Sequence, residues 1–161
     1  MLTIRRLTGV LVSLVALVAS GTAQAKKVTH KYSSTLQTTS LATANGYPLP
    51  GGTATLVGPL KTKPLGSGAL IDRIEITGQP APNVFAFTGK ETDFLPAGTM
   101  RNTFSGTSTV QPDGSQVVEA TGRFTGGTAR YRGLSGRYTF DGTVAPGSTL
   151  LVGHSHGRIA Y

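Results

Sequence analysis

The chain has 161 residues and no cysteine, and it carries 15 Lys and Arg residues against 7 Asp and Glu, for a formal net charge of +8. The absence of cysteine excludes disulfides and thiolate chemistry. The basic residues are scattered along the chain without the interleaved aromatic residues that are typical of RNA-binding surfaces, so we expect a cationic surface and no nucleic-acid partner.

Residues 1–25 have the pattern of a secretory signal. Arg5 and Arg6 give it a positive start, an apolar run covers 10–19, and Ala23-Gln24-Ala25 is a small-x-small cleavage site. The run is shorter than the about 20 residues that a membrane-spanning helix needs. We therefore expect cleavage after Ala25, export to the periplasm or the medium, and no membrane span in the mature protein. An uncleaved N-terminal anchor is the alternative.

Residues 26–161 predict one all-β domain, an eight-stranded antiparallel β-barrel. Helical periodicity is nearly missing, and turn residues recur about every eight to twelve positions, as in a sandwich or barrel. Residues 44–52 and 79–83 are predicted loops, and Glu91 and Asp93 are expected to flank a loop. The predicted strands lie near 28–37, 53–58, 69–77, 83–91, 99–110, 115–125, 134–144 and 149–161.

Alternation of apolar and polar residues predicts which face of each strand points into the barrel. The inward residues of the later strands combine aromatic rings with glycines. An eight-stranded barrel is just filled by its side chains or holds one small ligand. Inward glycines favour the second case, or they permit coiling of the strands and make room for a neighbouring ring. The predicted inward set includes Met100, Asn102, Phe104, Val118, Ala120, Gly122, Phe124, Leu134, Tyr138, Phe140 and Gly142.

A glycine-rich stretch at 122–136, Gly-Arg-Phe-Thr-Gly-Gly-Thr-Ala-Arg-Tyr-Arg-Gly-Leu-Ser-Gly, resembles the signature of the allene oxide cyclase and dirigent barrel superfamily. In that superfamily the pattern G-G-T-G-x-Y/F-x-G-A-x-G joins two late strands. Ala129 and Leu134 replace the usual glycine and alanine. The matching residues are Gly126, Gly127, Thr128, Tyr131, Gly133 and Gly136. We expect these glycines to be structural, since they permit positive φ angles and close approach of the backbone.

The resemblance covers roughly residues 105–150 and implies an eight-stranded barrel with an apolar lumen that forms a homodimer or homotrimer. Allene oxide cyclases confine an unstable oxygenated lipid, and dirigent proteins orient radicals that another enzyme generates; neither uses a cofactor. The first hypothesis is therefore an exported barrel that binds a small apolar oxygenated molecule and guides its cyclisation or coupling. If it is an enzyme, it is a cofactor-free isomerase or cyclase. The alternative is a non-catalytic structural or interaction module whose barrel is packed.

Polar residues on the predicted inward faces are the candidate ligand-binding residues. An inward Asp among isoleucines has a raised pKa unless it is paired. Together with an imidazole, an amide and tyrosine hydroxyls, it could provide a general acid and base around an apolar ligand. Alternatively, these groups satisfy one another or lie at a wet barrel mouth. The candidates are His30, Tyr32, Asp72, Asn102, Tyr138 and Tyr161.

Two further kinds of site are weaker. In a strand, His154-Ser155-His156 places two imidazoles on one face, which is a spacing that binds zinc or copper. That face is predicted to point outward and no third ligand is evident, so we expect no metal and no other cofactor. There is no nucleophile elbow and no evident pair of carboxylates, so a hydrolase is not expected.

Overall fold

The computed structural model describes residues 27–161, so the predicted signal sequence lies outside the described residues. The eight strands form a closed antiparallel barrel in chain order, with the first strand paired to the last, as predicted. No helix in this part of the chain is long and apolar enough to cross a membrane. The strands are β1 (Thr29–Ala44), β2 (Thr53–Lys63), β3 (Gly66–Ala81), β4 (Val84–Leu95), β5 (Gly98–Val110), β6 (Gln116–Gly127), β7 (Ser135–Val144) and β8 (Leu150–Ala160).

The first four strands are longer than predicted. β1 continues beyond residue 37 to Ala44. The sequence pattern does not reveal this extension, because the inward residues Thr38 and Ser40 are as polar as the outward ones and hide the alternation. The predicted loop at 79–83 is wrong, since β3 runs to Ala81 and the turn is confined to Pro82 and Asn83, where Asn83 has a φ of 63°. Residues 38–44 of β1 and 78–81 of β3 deepen the barrel at the end where residues 45–52 connect β1 to β2, whereas residues 59–63 of β2 and 92–95 of β4 lengthen the opposite end.

One half of the lumen is packed solid. This closed half lies at the end of the barrel that carries the β6–β7 connection and the last residue of β8. A single 3₁₀ turn, Ala129–Tyr131, crosses that end and inserts Tyr131, whose side chain is 1% exposed. The other buried side chains of the closed half are Tyr32, Leu36, Leu60, Leu70, Leu95, Met100, Phe124, Leu134, Tyr138 and Ile159.

The glycine-rich stretch shapes this closed end. Gly136 has a φ of 146°, and a Cβ atom there would overlap the carbonyl oxygen of Arg158. At Gly127 a Cβ atom would overlap the carbonyl oxygen of Thr99. At these two positions any larger residue would therefore push neighbouring strands apart.

Several inward glycines lie against aromatic rings. A Cβ atom at Gly122 would overlap the ring of Tyr138, and one at Gly153 would overlap the ring of Phe140. These glycines accommodate neighbouring rings, the second of the two roles considered for them, so they are not the reason why part of the lumen is empty.

Candidate functional site

The open half of the lumen contains a cavity of about 250 Å³. Its walls are mainly apolar side chains from strands all around the barrel. The volume is slightly below the roughly 300–1,000 Å³ of pockets for drug-sized ligands, so a molecule that fits must be small. The apolar side chains that line it include Leu36, Leu56, Ile74, Ile76, Phe87, Phe104, Val118 and Phe140.

The cavity exists because several inward positions of the open half carry small side chains. Ser40, Ser108, Ala120 and Ser155 face the cavity from β1, β5, β6 and β8. In the closed half the corresponding positions carry residues such as Met100 and Phe124. The contrast in side-chain volume therefore divides one barrel into a filled half and an empty half.

The connection between β1 and β2 borders the mouth of the cavity. Tyr47 in this connection lines the cavity and packs against its apolar wall. The amide of Gly51 donates to the carbonyl oxygen of Ile76 at 2.7 Å, and the amide of Ile76 donates to the carbonyl oxygen of Gly52 at 2.9 Å. These bonds attach the connection to β3 and hold Tyr47 beside the entrance.

Three carboxyl groups cluster inside the barrel, where apolar packing gives way to the cavity. Asp72 on β3 lies directly opposite Glu91 on β4. Asp93, two residues after Glu91, points to the same side of β4. The expectation that Glu91 and Asp93 flank a loop is therefore wrong: β4 continues through both residues to Leu95. The carboxylate pair that was not evident in the sequence is supplied by these inward positions.

Burial perturbs two of these carboxyls. Desolvation by burial raises the pKa of Asp72 well above its usual value, and the neighbouring Glu91 raises it further. The same two causes, in the same order, raise the pKa of Asp93. Every Lys and Arg in residues 27–161 is exposed on the outside of the barrel, so no cationic side chain of that part of the chain lies in the lumen to oppose these shifts. Both acids therefore retain a proton over a wider pH range than an exposed Asp.

A hydrogen-bonded chain connects the acid cluster to the barrel wall. The amide of Asn102 donates to Glu91 Oε1 at 2.6 Å, and the hydroxyl of Tyr138 donates to Asn102 Oδ1 at 2.6 Å. Burial is the main cause that raises the pKa of the Tyr138 hydroxyl, with Glu91 adding to it. Tyr138 is therefore a neutral hydrogen-bond donor, and Asn102 is fixed at both ends of its side chain.

Several polar atoms at the site have no hydrogen-bond partner. They are Thr38 Oγ1, Asp72 Oδ1 and both carboxyl oxygens of Asp93. Asp72 and Thr38 line the cavity, whereas Asp93 lies behind it, with no exposed surface. Buried polar groups normally have hydrogen-bond partners. Asp72 and Thr38 are therefore the two places where a polar atom of a ligand would provide a missing partner.

The structure brings four of the six candidate residues together. Asp72 and Tyr138 line the cavity, Asn102 connects Tyr138 to the acid cluster, and Tyr32 packs behind them with its ring 6.3 Å from that of Tyr138. Burial is also the main cause that raises the pKa of the Tyr32 hydroxyl.

The remaining two candidates, His30 and Tyr161, lie at the closed end. Their ring centroids are 5.2 Å apart, and neither residue lines the cavity. The guanidinium of Arg130 lies 5.5 Å from the centre of the Tyr161 ring. These two residues therefore cover the packed end of the barrel and are separate from the acid cluster.

The His154 and His156 side chains are exposed on the outer face of β8, on the side that the alternation predicts. His154 is paired in register with Asp141 of β7, and His156 with Thr139. Within the described residues there is no group of three or more His, Cys, Asp or Glu side chains placed to hold a metal ion.

The residues that sequence reasoning missed are Glu91, Asp93 and Thr38. A signal for the first two was present: Phe87, Gly89, Glu91, Asp93 and Leu95 continue one alternating face of β4. Acidic residues are rare on inward faces, so the sequence alone favours a strand end near residue 91 over its continuation through Asp93.

Comparison with models of known protein families finds no match. Comparisons with curated protein sequences and with solved structures find no match either.

Proposed function

We propose that the barrel binds a small, largely apolar, oxygenated molecule in the open half of its lumen. The observation that carries this proposal is Asp72, a buried carboxyl with a raised pKa and an unpartnered oxygen on the wall of an otherwise mainly apolar cavity. A protonated carboxyl donates a hydrogen bond to a carbonyl, ether or epoxide oxygen. The apolar walls take up the hydrocarbon part of the ligand.

The proposal includes guided cyclisation or coupling without a cofactor. Rigid walls restrict the conformations of a flexible substrate, which lowers the entropic part of the barrier. Asp72 provides a hydrogen bond to the oxygen at which negative charge develops, and it is held beside the chain of Glu91, Asn102 and Tyr138. This part of the proposal rests on the resemblance of the glycine-rich stretch, together with the acid group in the cavity.

The binding step is tested by displacement of an apolar fluorescent probe. A medium-chain ketone should bind about two- to tenfold more tightly than the alkane of the same length, which corresponds to one additional hydrogen bond. Asp72→Val should abolish that preference and leave alkane binding intact. Asp141→Asn, which changes an exposed acid on the outer face, is the matched control and should keep the preference. Equal affinity for ketone and alkane in the unmodified protein would contradict the proposal.

Guided cyclisation is tested by the stereochemistry of a product that also forms spontaneously. An unstable allylic epoxide that cyclises in buffer gives a racemic product, and the protein should make one enantiomer predominate. Ala120→Phe, which fills the cavity, should restore the racemic product. A racemic product with the unmodified protein would remove the catalytic part of the proposal and leave the binding part to the displacement test.

The second candidate function is a non-catalytic structural or interaction module. The solid packing of the closed half, where Tyr131 and Met100 are almost or entirely inaccessible, favours it. Under this alternative neither ketones nor alkanes displace the probe. Native mass spectrometry also tests the homodimer or homotrimer that the resemblance implies, and N-terminal sequencing of exported protein tests cleavage before Lys26.

A further inference from the structure

Basic residues that are far apart in the sequence form a row on the outside of the barrel. Arg123 of β6 is paired in register with Arg137 of β7, and Arg137 is paired with Arg158 of β8. Arg158 is in turn paired with Lys31 of β1. All four side chains are exposed. We call these residues, Lys31, Arg123, Arg137 and Arg158, the basic row.

The basic row concentrates positive charge on one wall. Neighbouring strands are about 4.8 Å apart, so four cations follow one another over three such steps. Like charges directly opposite each other in a sheet destabilise it. The arrangement therefore carries a cost in the isolated barrel, and an anionic partner would remove that cost.

The acidic residues of the chain do not neutralise the basic row. Asp72, Glu91 and Asp93 point into the lumen. On β6 and β7 the nearest exposed acids are Glu119 and Asp141, which are four residues along the strand from Arg123 and Arg137. Four residues correspond to about 13 Å, which exceeds the Debye length of about 8 Å at physiological ionic strength.

The residues beside the basic row are hydroxyl-rich. The next outward row towards Glu119 and Asp141 consists of Ser105, Thr121, Thr139, His156 and Ser33. At the β5 end of the basic row itself, the side chain of Arg123 donates from Nε to Thr103 Oγ1 at 3.3 Å. A shallow groove runs over this wall and is lined by Arg123, Arg137, Arg158 and His156.

We propose that this wall binds an acidic polysaccharide. Arginine guanidinium groups form paired hydrogen bonds with carboxylate and sulfate groups, and serine and threonine hydroxyls match the hydroxyl groups of a sugar chain. Single-stranded nucleic acid fits less well, because it also requires aromatic rings for base stacking. In residues 27–161 Phe94 is the only Phe or Tyr with an exposed side chain, and it lies on β4, outside the basic row.

The test measures binding of the purified protein to polygalacturonate and to heparin, as carboxylated and sulfated probes, at low and physiological salt. The row variant Arg123→Gln/Arg137→Gln/Arg158→Gln removes three exposed charges from the basic row. The control variant Lys61→Gln/Arg73→Gln/Lys90→Gln removes three exposed charges from the opposite wall, on β2, β3 and β4. The two variants have the same net charge, so they separate a specific surface from general attraction.

The row variant should bind both polysaccharides at least about tenfold more weakly than the unmodified protein, and the control variant should change the affinity by less than about threefold. The salt dependence of binding should also decrease in the row variant, because fewer counterions are released. Equal losses in both variants, or no loss in the row variant, would overturn the proposal. So would tighter binding to single-stranded DNA or to anionic vesicles than to both polysaccharides.

Probe binding in the lumen serves as the control for folding. The basic row lies on the outer face and the cavity on the inner face, so the row variant should bind an apolar probe as the unmodified protein does. If the unmodified protein binds no apolar probe, circular dichroism and urea unfolding replace this control. Failure of the proposed lumen function is therefore distinguishable from failure of the surface proposal.

Discussion

Asp93 lies inside the barrel between Leu70 and Met100, with which it is paired in register, and it has no exposed surface. Both of its carboxyl oxygens lack a hydrogen-bond partner. Replacing it with asparagine keeps the shape of the side chain and removes the ionisable group. The amide also keeps a donor for the adjacent Glu91 at every pH, whereas the carboxyl has one only while it is protonated. Glu91 is close enough to raise the pKa of Asp93.

We expect Asp93→Asn to raise the free energy of unfolding by about 1–3 kcal/mol at neutral pH, since an unsatisfied buried polar group costs about that much and a charged one costs more. The sign of the pH dependence follows from the raised pKa. Between the usual value of 3.8 and the folded-state value, the folded protein holds a proton that the unfolded chain releases. The contribution of this group to the free energy of unfolding is therefore fully present below about pH 3.8 and is lost as the pH rises through the folded-state pKa.

Urea unfolding of both proteins at a series of pH values from about 4 to 8 gives the difference in stability directly. The advantage of Asp93→Asn should be small at the acid end and should grow as the pH rises. Asp113→Asn is the control of opposite sign. Hydrogen bonds from Ser115 lower the pKa of this exposed carboxyl, so it stabilises the folded protein above its usual pKa of 3.8 and loses that contribution as the pH falls. Asp113→Asn should therefore reduce stability slightly at neutral pH and have less effect towards the acid end of the series. An advantage that is constant with pH, or a loss of stability at neutral pH, would refute the reasoning for Asp93.

Three other substitutions test separate parts of the structure. Tyr138→Phe removes the hydroxyl that donates to Asn102 Oδ1 and should destabilise the protein by about 1–2 kcal/mol in urea unfolding; an unchanged midpoint would show that this hydrogen bond contributes nothing. Arg137→Thr removes the central charge between Arg123 and Arg158 and should stabilise the barrel by about 0.2–1 kcal/mol at low salt. That gain should disappear near 1 M salt, where the Debye length is about 3 Å, and a gain that persists there would exclude charge repulsion as its cause. Ala120→Phe should abolish binding of apolar probes while the barrel remains folded by circular dichroism; retained binding would place the probe outside the cavity.

The sequence predicted the barrel and the faces of its later strands because apolar and polar residues alternate there with little interruption. In β7 the inward residues include Tyr138 and Phe140, whereas the outward residues include Arg137 and Asp141. Each such strand has only one face that can be buried, and a shift by one residue would bury charges. The inward placement of Asp72 and Asn102 followed from the same alternation.

The acid cluster and the basic row depend on register between strands, which alternation within one strand does not determine. Asp72 and Glu91 belong to different strands and meet only because the β3–β4 turn pairs them. Arg137 and Lys31 are distant in the sequence, but both lie beside Arg158 once the barrel closes. Charges that look scattered along the chain are therefore adjacent on the barrel. The cavity is likewise a property of several strands, since small residues such as Ser108 and Ala120 leave space only when their inward positions face one another.

Native mass spectrometry of residues 26–161, purified from the source organism, tests the central claim most directly, because it detects a molecule that the barrel retains. We expect a mass excess of one small molecule per barrel, released on denaturation and absent from the Ala120→Phe variant. A bare mass for the unmodified protein, unchanged after incubation with apolar ketones, would contradict the claim that the open half of the lumen is a binding site.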